Sequence, residues 1–405
     1  MKISIIGKGN VGSALARRLA TAGHTVTTAN SSTAPAQVAG LAAAADVTVP
    51  AVPFSAVAQF DAGIRTALRD KVVIDVTNPL AADFMSLTIG HTTSAGEQVA
   101  AALPGARVVK AFNTVFAATL DTPGLFLPVA ADDETAKKTV LELGAQLGFD
   151  AVDAGPLANA RYLEELSGRV ALLTGASGGI GRALGRRLIA AGVRTAFVYG
   201  SHSGPAHELV AQARNAGVDA VALAGDLADP DVPARLPNEA ADALGGPVDI
   251  LIPNAGHALQ QDYATLDLQA WDRTLAINLR APFLLAQHAL PGMAARGYGR
   301  VLFMSSVAAF TGGVIGADYA ASKAGLHGLT HFLAARVASH GVTVNALAPA
   351  LIAETRMLPG GADPRTLPVG RFGRPEEVAD LALAVLRNGY LTNQVLSLDG
   401  GAYPR

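Results

Sequence analysis

Three side chains in one stretch of this chain, Ser306, Tyr319 and Lys323, have the types and spacing to move a proton. Tyr319 and Lys323 stand four residues apart in an Ala-rich run, Y-A-A-S-K, that reads as helix, so both fall on one helix face. A free phenol has a pKa of roughly 10, too high for easy exchange near neutral pH. A neighbouring ammonium favours the phenolate, so the spacing predicts a lowered Tyr319 pKa and general acid/base work. Ser306 closes an apolar strand, G-R-V-L-F-M-S-S, where a hydroxyl can hold a substrate oxygen. A Tyr-x-x-x-Lys pair alone is an ordinary surface feature; the elements around this one give it meaning.

Those elements are two strand–glycine-turn–helix openings. The first is the strand Lys2–Ile6, the turn Gly7-Lys8-Gly9-Asn10-Val11-Gly12 and an amphipathic helix. G-x-G-x-x-G in that setting permits a tight turn, lets a ligand approach the backbone and presents free N–H groups to a pyrophosphate. The second strand, H-T-V-T-T-A, ends at Asn30 and Ser31 with no carboxylate for a ribose 2′-hydroxyl, which favours NADP(H) over NAD(H). From Arg169 the plan restarts: strand R-V-A-L-L, then Thr174-Gly175-Ala176-Ser177-Gly178-Gly179-Ile180-Gly181, then a helix. The next strand ends at Gly200-Ser201-His202-Ser203, again without an acid. Strands alternating with helices of this length imply parallel sheets covered on both faces. The expected fold is α/β: two Rossmann-type doubly wound parallel-sheet domains in tandem, residues 1–166 and 167–405, joined at Ser167-Gly168.

Composition narrows the function classes. The chain has 405 residues, 50% hydrophobic and 16% charged, enough to bury more than one core. A net charge of −2 argues against nucleic-acid or anionic-membrane surfaces. Without cysteine there are neither disulfides nor thiolate metal sites, and no metal is expected. The apolar Ala34–Phe60 region is interrupted by Asp46, Pro50 and Pro53, so no membrane span is expected and a cytoplasmic protein is.

The motifs G-K-G-N-V-G, A-V-P-F, D-V-T-N-P-L and V-V-K-A-F-N-T make residues 1 to about 166 resemble the coenzyme F-420-dependent NADP oxidoreductases. That resemblance implies NADP(H) on Gly7, Gly9, Asn10, Val11 and Gly12, with Asn30 and Ser31 near the 2′-phosphate and Val52 and Pro53 lining the cleft. In the family the helix corresponding to A-R-Y-L-E-E-L runs on into further helical sequence, whereas here a new strand follows, so this domain reads as C-terminally truncated. No acid/base constellation is seen in it; His91 and Asp75 read as a loop histidine and a strand-end carboxylate. A non-catalytic NADP(H)-sensing or scaffold protein is the rival reading for the chain, and above all for this domain.

From Gly168 onward T-G-A-S-G-G-I-G, G-D-L, N-A-G, Y-A-A-S-K, V-N-A-L-A-P and the terminal L-D-G-G resemble the short-chain dehydrogenase/reductases, nearest to 3-oxoacyl-[acyl-carrier-protein] reductases. The resemblance implies reduction of a small-molecule or acyl-thioester carbonyl, with Tyr319 as general acid, Lys323 on the nicotinamide ribose, Ser306 rather than Ser305 on the carbonyl, and Asn278 holding a proton-relay water. It implies Gly175, Ser177, Gly179, Ile180 and Gly181 at the pyrophosphate and Asp226 and Leu227 at the adenine. Asn254, Ala255 and Gly256 would border the ribose, and Pro349, Ile352 and Thr355 the nicotinamide. Subunits are expected to form dimers or tetramers. Gly178 stands where many NADP-using relatives carry Arg, leaving Ser201, His202 and Ser203 to meet the 2′-phosphate. Ala350 replaces the usual glycine after Pro349. Residues 257–270 and 350–366 are expected to wall the substrate pocket, the latter as a mobile lid.

Overall fold

The computed structural model describes all residues except 80–92, 114, 116–119, 121–125, 161–165, 167, 359 and 404–405. His91, most of the A-R-Y-L-E-E-L segment and Ser167 lie outside the described residues. The chain forms two compact units, one built on Met1–Gly168 and one on Arg169–Arg405, save for the turns Ala190–Gly192 and Asn215–Val218, which group with the first.

Among the described residues the first unit has seven strands: β1 (Lys2–Ile6), β2 (Thr25–Ala29), β3 (Val47–Pro50), β4 (Val72–Asp75), β5 (Arg107–Lys110), β6 (Phe126–Ala131) and β7 (Asp150–Asp153). They lie in the order β2-β1-β3-β4-β5-β6-β7. All pairs are parallel except β5 with β6. The second sheet holds β8 (Val170–Thr174), β9 (Arg194–Tyr199), β10 (Ala220–Ala224), β11 (Ile250–Ile252), β12 (Gly299–Met304), β13 (Val342–Pro349) and β14 (Val395–Leu398). Its order is β10-β9-β8-β11-β12-β13-β14, parallel throughout. The unbroken apolar runs explain this: V-A-L-L-T of β8 is buried at every position, which a strand covered on both faces requires.

In both sheets the strand order reverses beside the strand that feeds the glycine turn, β1 in one and β8 in the other. The crevice outside the carboxyl ends of such strands is where α/β sheets take ligands. No helix among the described residues is long and apolar enough to cross a membrane.

Candidate active site

The second unit's turn leaves β8 at Gly175, whose φ of +67° is a left-handed conformation that suits glycine. A Cβ there would lie 2.7 Å from Ala255 Cα, and one on Gly181 would lie 2.1 Å from the Gly175 carbonyl oxygen. The turn and the first residues of the Gly179–Ala190 helix are therefore packed as closely as bare backbone allows, and that helix begins at the crevice wall, where Gly179, Ile180 and Gly181 line it. Asn254 Nδ2 donates to the Thr174 and Gly175 carbonyls at 3.0 and 3.2 Å, tying the N-A-G turn to the glycine turn. Around them lies a cleft of about 780 Å³. Its walls include Gly175, Ser177, Gly179, Ile180, Gly181, Ser201, His202, Asp226, Leu227, Asn254, Ala255, Gly256 and Thr355, all expected from the sequence. A glycine-lined crevice at a helix N-terminus fits a dinucleotide.

A second cavity of about 370 Å³ carries Ser306, Tyr319 and Lys323 together with Pro349 and Ile352, and shares Ile180, Asn254, Gly256, Thr355 and Met357 with the cleft. The helix Ala317–Val337 presents Tyr319 and Lys323 from one face, both buried. The two serines divide by function. Ser305 Oγ is spent on the Lys323 carbonyl at 3.1 Å and His327 Nε2 at 2.8 Å, whereas Ser306 Oγ lines the cavity, accepts from Ala308 N at 3.2 Å and hydrogen-bonds with Tyr319.

The electrostatics differ from the sequence expectation. Burial raises the Tyr319 pKa, and the hydrogen bond with Ser306 pulls it down by less. Lys323 does not offset that rise in the resting site. Its Nζ lies 5.7 Å from the phenol ring centroid and donates to the Met304 carbonyl at 2.7 Å, while burial lowers its own pKa to about 8. The phenol is thus held protonated, the state from which it donates.

Asn278 is fully buried in a π-helical turn, Ala276–Arg280, inserted after the helix Leu268–Leu275. Its Nδ2 donates to the His257 carbonyl at 2.9 Å and Ser322 Oγ at 3.1 Å, and its Oδ1 accepts from His257 N at 2.7 Å. Both donors are engaged, leaving one lone pair of Oδ1. A Cβ on Gly256 would lie 3.7 Å from both Asn278 Oδ1 and Lys323 Nζ, so the two groups converge on one point.

The pocket walls are corrected in one respect. Of residues 257–270 only His257 lines either space, at the cleft; Val307, Val314, Ile315 and Tyr403 line the cavity instead, together with Leu351, Leu358 and Leu367. The lid segment does line it. Ala350 has no positive φ, so the missing glycine costs nothing; Glu354 does, at +56°. Sequence reasoning also missed Arg356, which lines the cleft from that segment.

In the first unit Gly7 has φ +122°, and a Cβ there would meet the Ala51 carbonyl oxygen at 2.1 Å and Val52 Cγ1 at 3.3 Å. A Cβ on Gly12 would lie 2.1 Å from Gly7 O, while Gly9 faces open space. Asn10 and Val11 open the Asn10–Thr21 helix. Asn30 Oδ1 accepts from Ser32 N and Oγ and from Thr33 Oγ1, shaping the turn that exposes Ser31. Asp75 is no free strand-end carboxylate: it pairs with Lys110 Nζ at 2.9 Å, both fully buried, and accepts from Thr77 N and Oγ1.

A dinucleotide crevice opening onto a cavity with serine, tyrosine and lysine defines an oxidoreductase of the α/β dinucleotide-fold class. Residues 169–363 match the family model "short chain dehydrogenase", and residues 2–79 match "NADP oxidoreductase coenzyme F420-dependent". Nodulation protein G of Azospirillum brasilense is 36% identical over 58% of this chain and 98% of its own length. The 3-oxoacyl-[acyl-carrier-protein] reductase FabG of Aquifex aeolicus is 35% identical over 59% of this chain and 99% of its own. A short chain dehydrogenase from Burkholderia cenocepacia, solved in complex with NADP, is 34% identical, with a TM-score of 0.54 over 58% of this chain and 98% of that one. The chain belongs to the short-chain dehydrogenase family through its second unit, and its first unit carries the other family's opening motif.

Proposed function

We propose that the second unit reduces a ketone or 3-oxoacyl carbonyl to an alcohol with NADPH. The observation that carries this is the cavity in which Ser306 and Tyr319 stand, continuous through Ile180, Asn254, Gly256, Thr355 and Met357 with the dinucleotide cleft. NADPH supplies the hydride to the carbonyl carbon. Ser306 donates a hydrogen bond to the carbonyl oxygen, polarising it. Tyr319 gives its proton to that oxygen as the C–H bond forms, and the phenolate left behind is stabilised by the Lys323 ammonium. Asn278 positions the His257 backbone and the Ser322 side of the catalytic helix, and its remaining Oδ1 lone pair supports reprotonation at Lys323.

The absence of a carboxylate after β9, with Ser201 and His202 in its place, supports NADPH over NADH. The relatives named as 3-oxoacyl reductases and the NADP complex of the Burkholderia enzyme support the same reading. Among the described residues Lys323 is the one Lys or Arg on the cavity wall, so the pocket suits a neutral ketone or an acyl thioester with apolar substituents. The test is NADPH oxidation, followed by nicotinamide absorbance, against β-ketoacyl thioesters and simple ketones with NADH in parallel. Turnover of a β-ketoacyl thioester with NADPH is expected; turnover that survives Tyr319→Phe refutes the assignment. For residues 1–166 we propose an NADP(H)-binding module, and a second coenzyme equivalent per chain is its test.

A further inference from the structure

Resting on the reading of the second unit as an NADPH-dependent reductase, one cation in its cleft acquires a role. Among the described residues two arginines and no lysine line that cleft. Arg273 lies 3.7 Å from Asp226 Oδ2 and is partly neutralised. Arg356 has no ion pair among the described residues and is exposed to the cleft. Its Nη1 lies 3.4 Å from His202 Nδ1, at the tip of β9. Ser201 Oγ lies 2.9 Å from that same Nδ1, and Ser177 Oγ donates to the His202 carbonyl. Two hydroxyls, an imidazole and a guanidinium thus gather where a ribose 2′-phosphate is expected. The turn itself offers no charge, because Gly178 has no side chain, although a Cβ there would meet only Gly175 O, at 3.5 Å.

Arg356 sits on a segment tied to both ends of the site. The Glu354 carbonyl lies so close to Gly179 that a Cβ there would be 2.4 Å from it. Thr355 Oγ1 donates to the Ile352 carbonyl at 2.8 Å. The next residue, Met357, places its sulfur 3.9 Å from the Tyr319 hydroxyl. One peptide bond therefore separates a group facing the phosphate position from a group facing the catalytic phenol. Glu354 at φ +56° is the strained backbone joint from which both project.

We propose that Arg356 is the 2′-phosphate clamp of this cleft, replacing the arginine missing at Gly178, and that the phosphate draws residues 350–358 and 360–366 over the substrate cavity as it binds. A guanidinium suits the task because its planar fork matches phosphate oxygens. The coenzyme's phosphate then sets the position of Met357 against Tyr319, so coenzyme choice and cavity closure are one event.

Calorimetric titration of the full chain carrying Gly12→Ala, which disables the first unit's turn, isolates the second cleft. The probes are NADPH, NADH and 2′,5′-ADP. Arg356→Gln is expected to weaken NADPH and 2′,5′-ADP by about 10- to 100-fold and NADH by less than about twofold. Adding Gly178→Arg to Arg356→Gln is expected to restore most of the loss. Equal weakening of NADPH and NADH, or no change, overturns the assignment. A parent protein that fails to prefer NADPH overturns the coenzyme reading itself, whereas a parent that prefers it and an unchanged Arg356→Gln overturn only the clamp. Tryptic cleavage after Arg365 reads the closure: 2′,5′-ADP is expected to slow it in the parent and not in Arg356→Gln. Cleavage indifferent to 2′,5′-ADP in the parent overturns the closure.

Discussion

The two glycine turns solve one steric problem identically and are put to different use. In each, a glycine one helical turn in (Gly12 or Gly181) is held so near a carbonyl that a Cβ would come within 2.1 Å of it. Each sits where its sheet reverses strand order. Beyond the turn they part. Around the second, polar groups stay poised toward a cavity: Ser306 faces it, and Lys323 and Tyr319 line it. In the first unit the comparable charges, Asp75 and Lys110, are fully buried and satisfy one another. A dinucleotide cradle is thus separable from chemistry, and what distinguishes the two units is whether their buried charges have been left available.

The comparison breaks or sharpens most visibly at the glycines. Gly181→Ala is expected to abolish carbonyl reduction, while Gly12→Ala leaves it intact and removes one of two coenzyme equivalents; loss of turnover in both would join what we separate. Tyr319→Phe should lower turnover by about 10²- to 10⁴-fold, with coenzyme affinity retained in a titration. In the first unit, Lys110→Met leaves Asp75 buried without its cation, and about 3–5 kcal/mol of stability should be lost. Circular dichroism during denaturation measures that loss, while fluorescence of Trp271, in the second unit, should keep its midpoint. Ser306→Ala should cost about 100-fold in turnover and Ser305→Ala much less, since the Ser305 hydroxyl is engaged with Lys323 O and His327.

The smallest effect is the pH dependence. Lys323 is charged below about pH 8, so reduction is expected to decline as pH rises through that value and the ammonium that steadies the phenolate is lost. Stability runs the other way. The folded pKa lies below the unfolded 10.5, so between about 8 and 10.5 the unfolded chain holds a proton the folded one lacks, and stability rises with pH. Lys323→Met should flatten both profiles.

Much of this was legible from periodicity. The doubly wound plan followed from apolar strand runs alternating with helices, and the Tyr319–Lys323 face from a four-residue spacing. Direction and reach were not. Spacing puts Lys323 beside Tyr319 but cannot say that its Nζ turns to Met304 O on another element. R-V-V-K reads as a strand and says nothing of where its lysine goes; Lys110 is sealed against Asp75 because β4 and β5 pair with those residues in register. Arg356 meets His202 from an irregular segment, where no repeat announces which side chains converge. The 257–270 wall failed for the same reason, since loops carry no period to aim them.

The π-helical turn at Ala276–Arg280 has a further consequence for how this chain can change. A wide turn of this kind is a single-residue insertion within a helix. Removing one residue there would restore ordinary helix, with the flanking segments kept in phase, and would draw in the residues that the wide turn holds out. Asn278 would then swing off the His257 backbone and Ser322, although every neighbouring amino acid had been kept. Substitutions at the other positions of W-D-R-T-L-A-I-N-L leave that geometry in place, whereas a single-codon deletion destroys it even with Asn278 kept, so this segment is constrained in length as well as at Asn278.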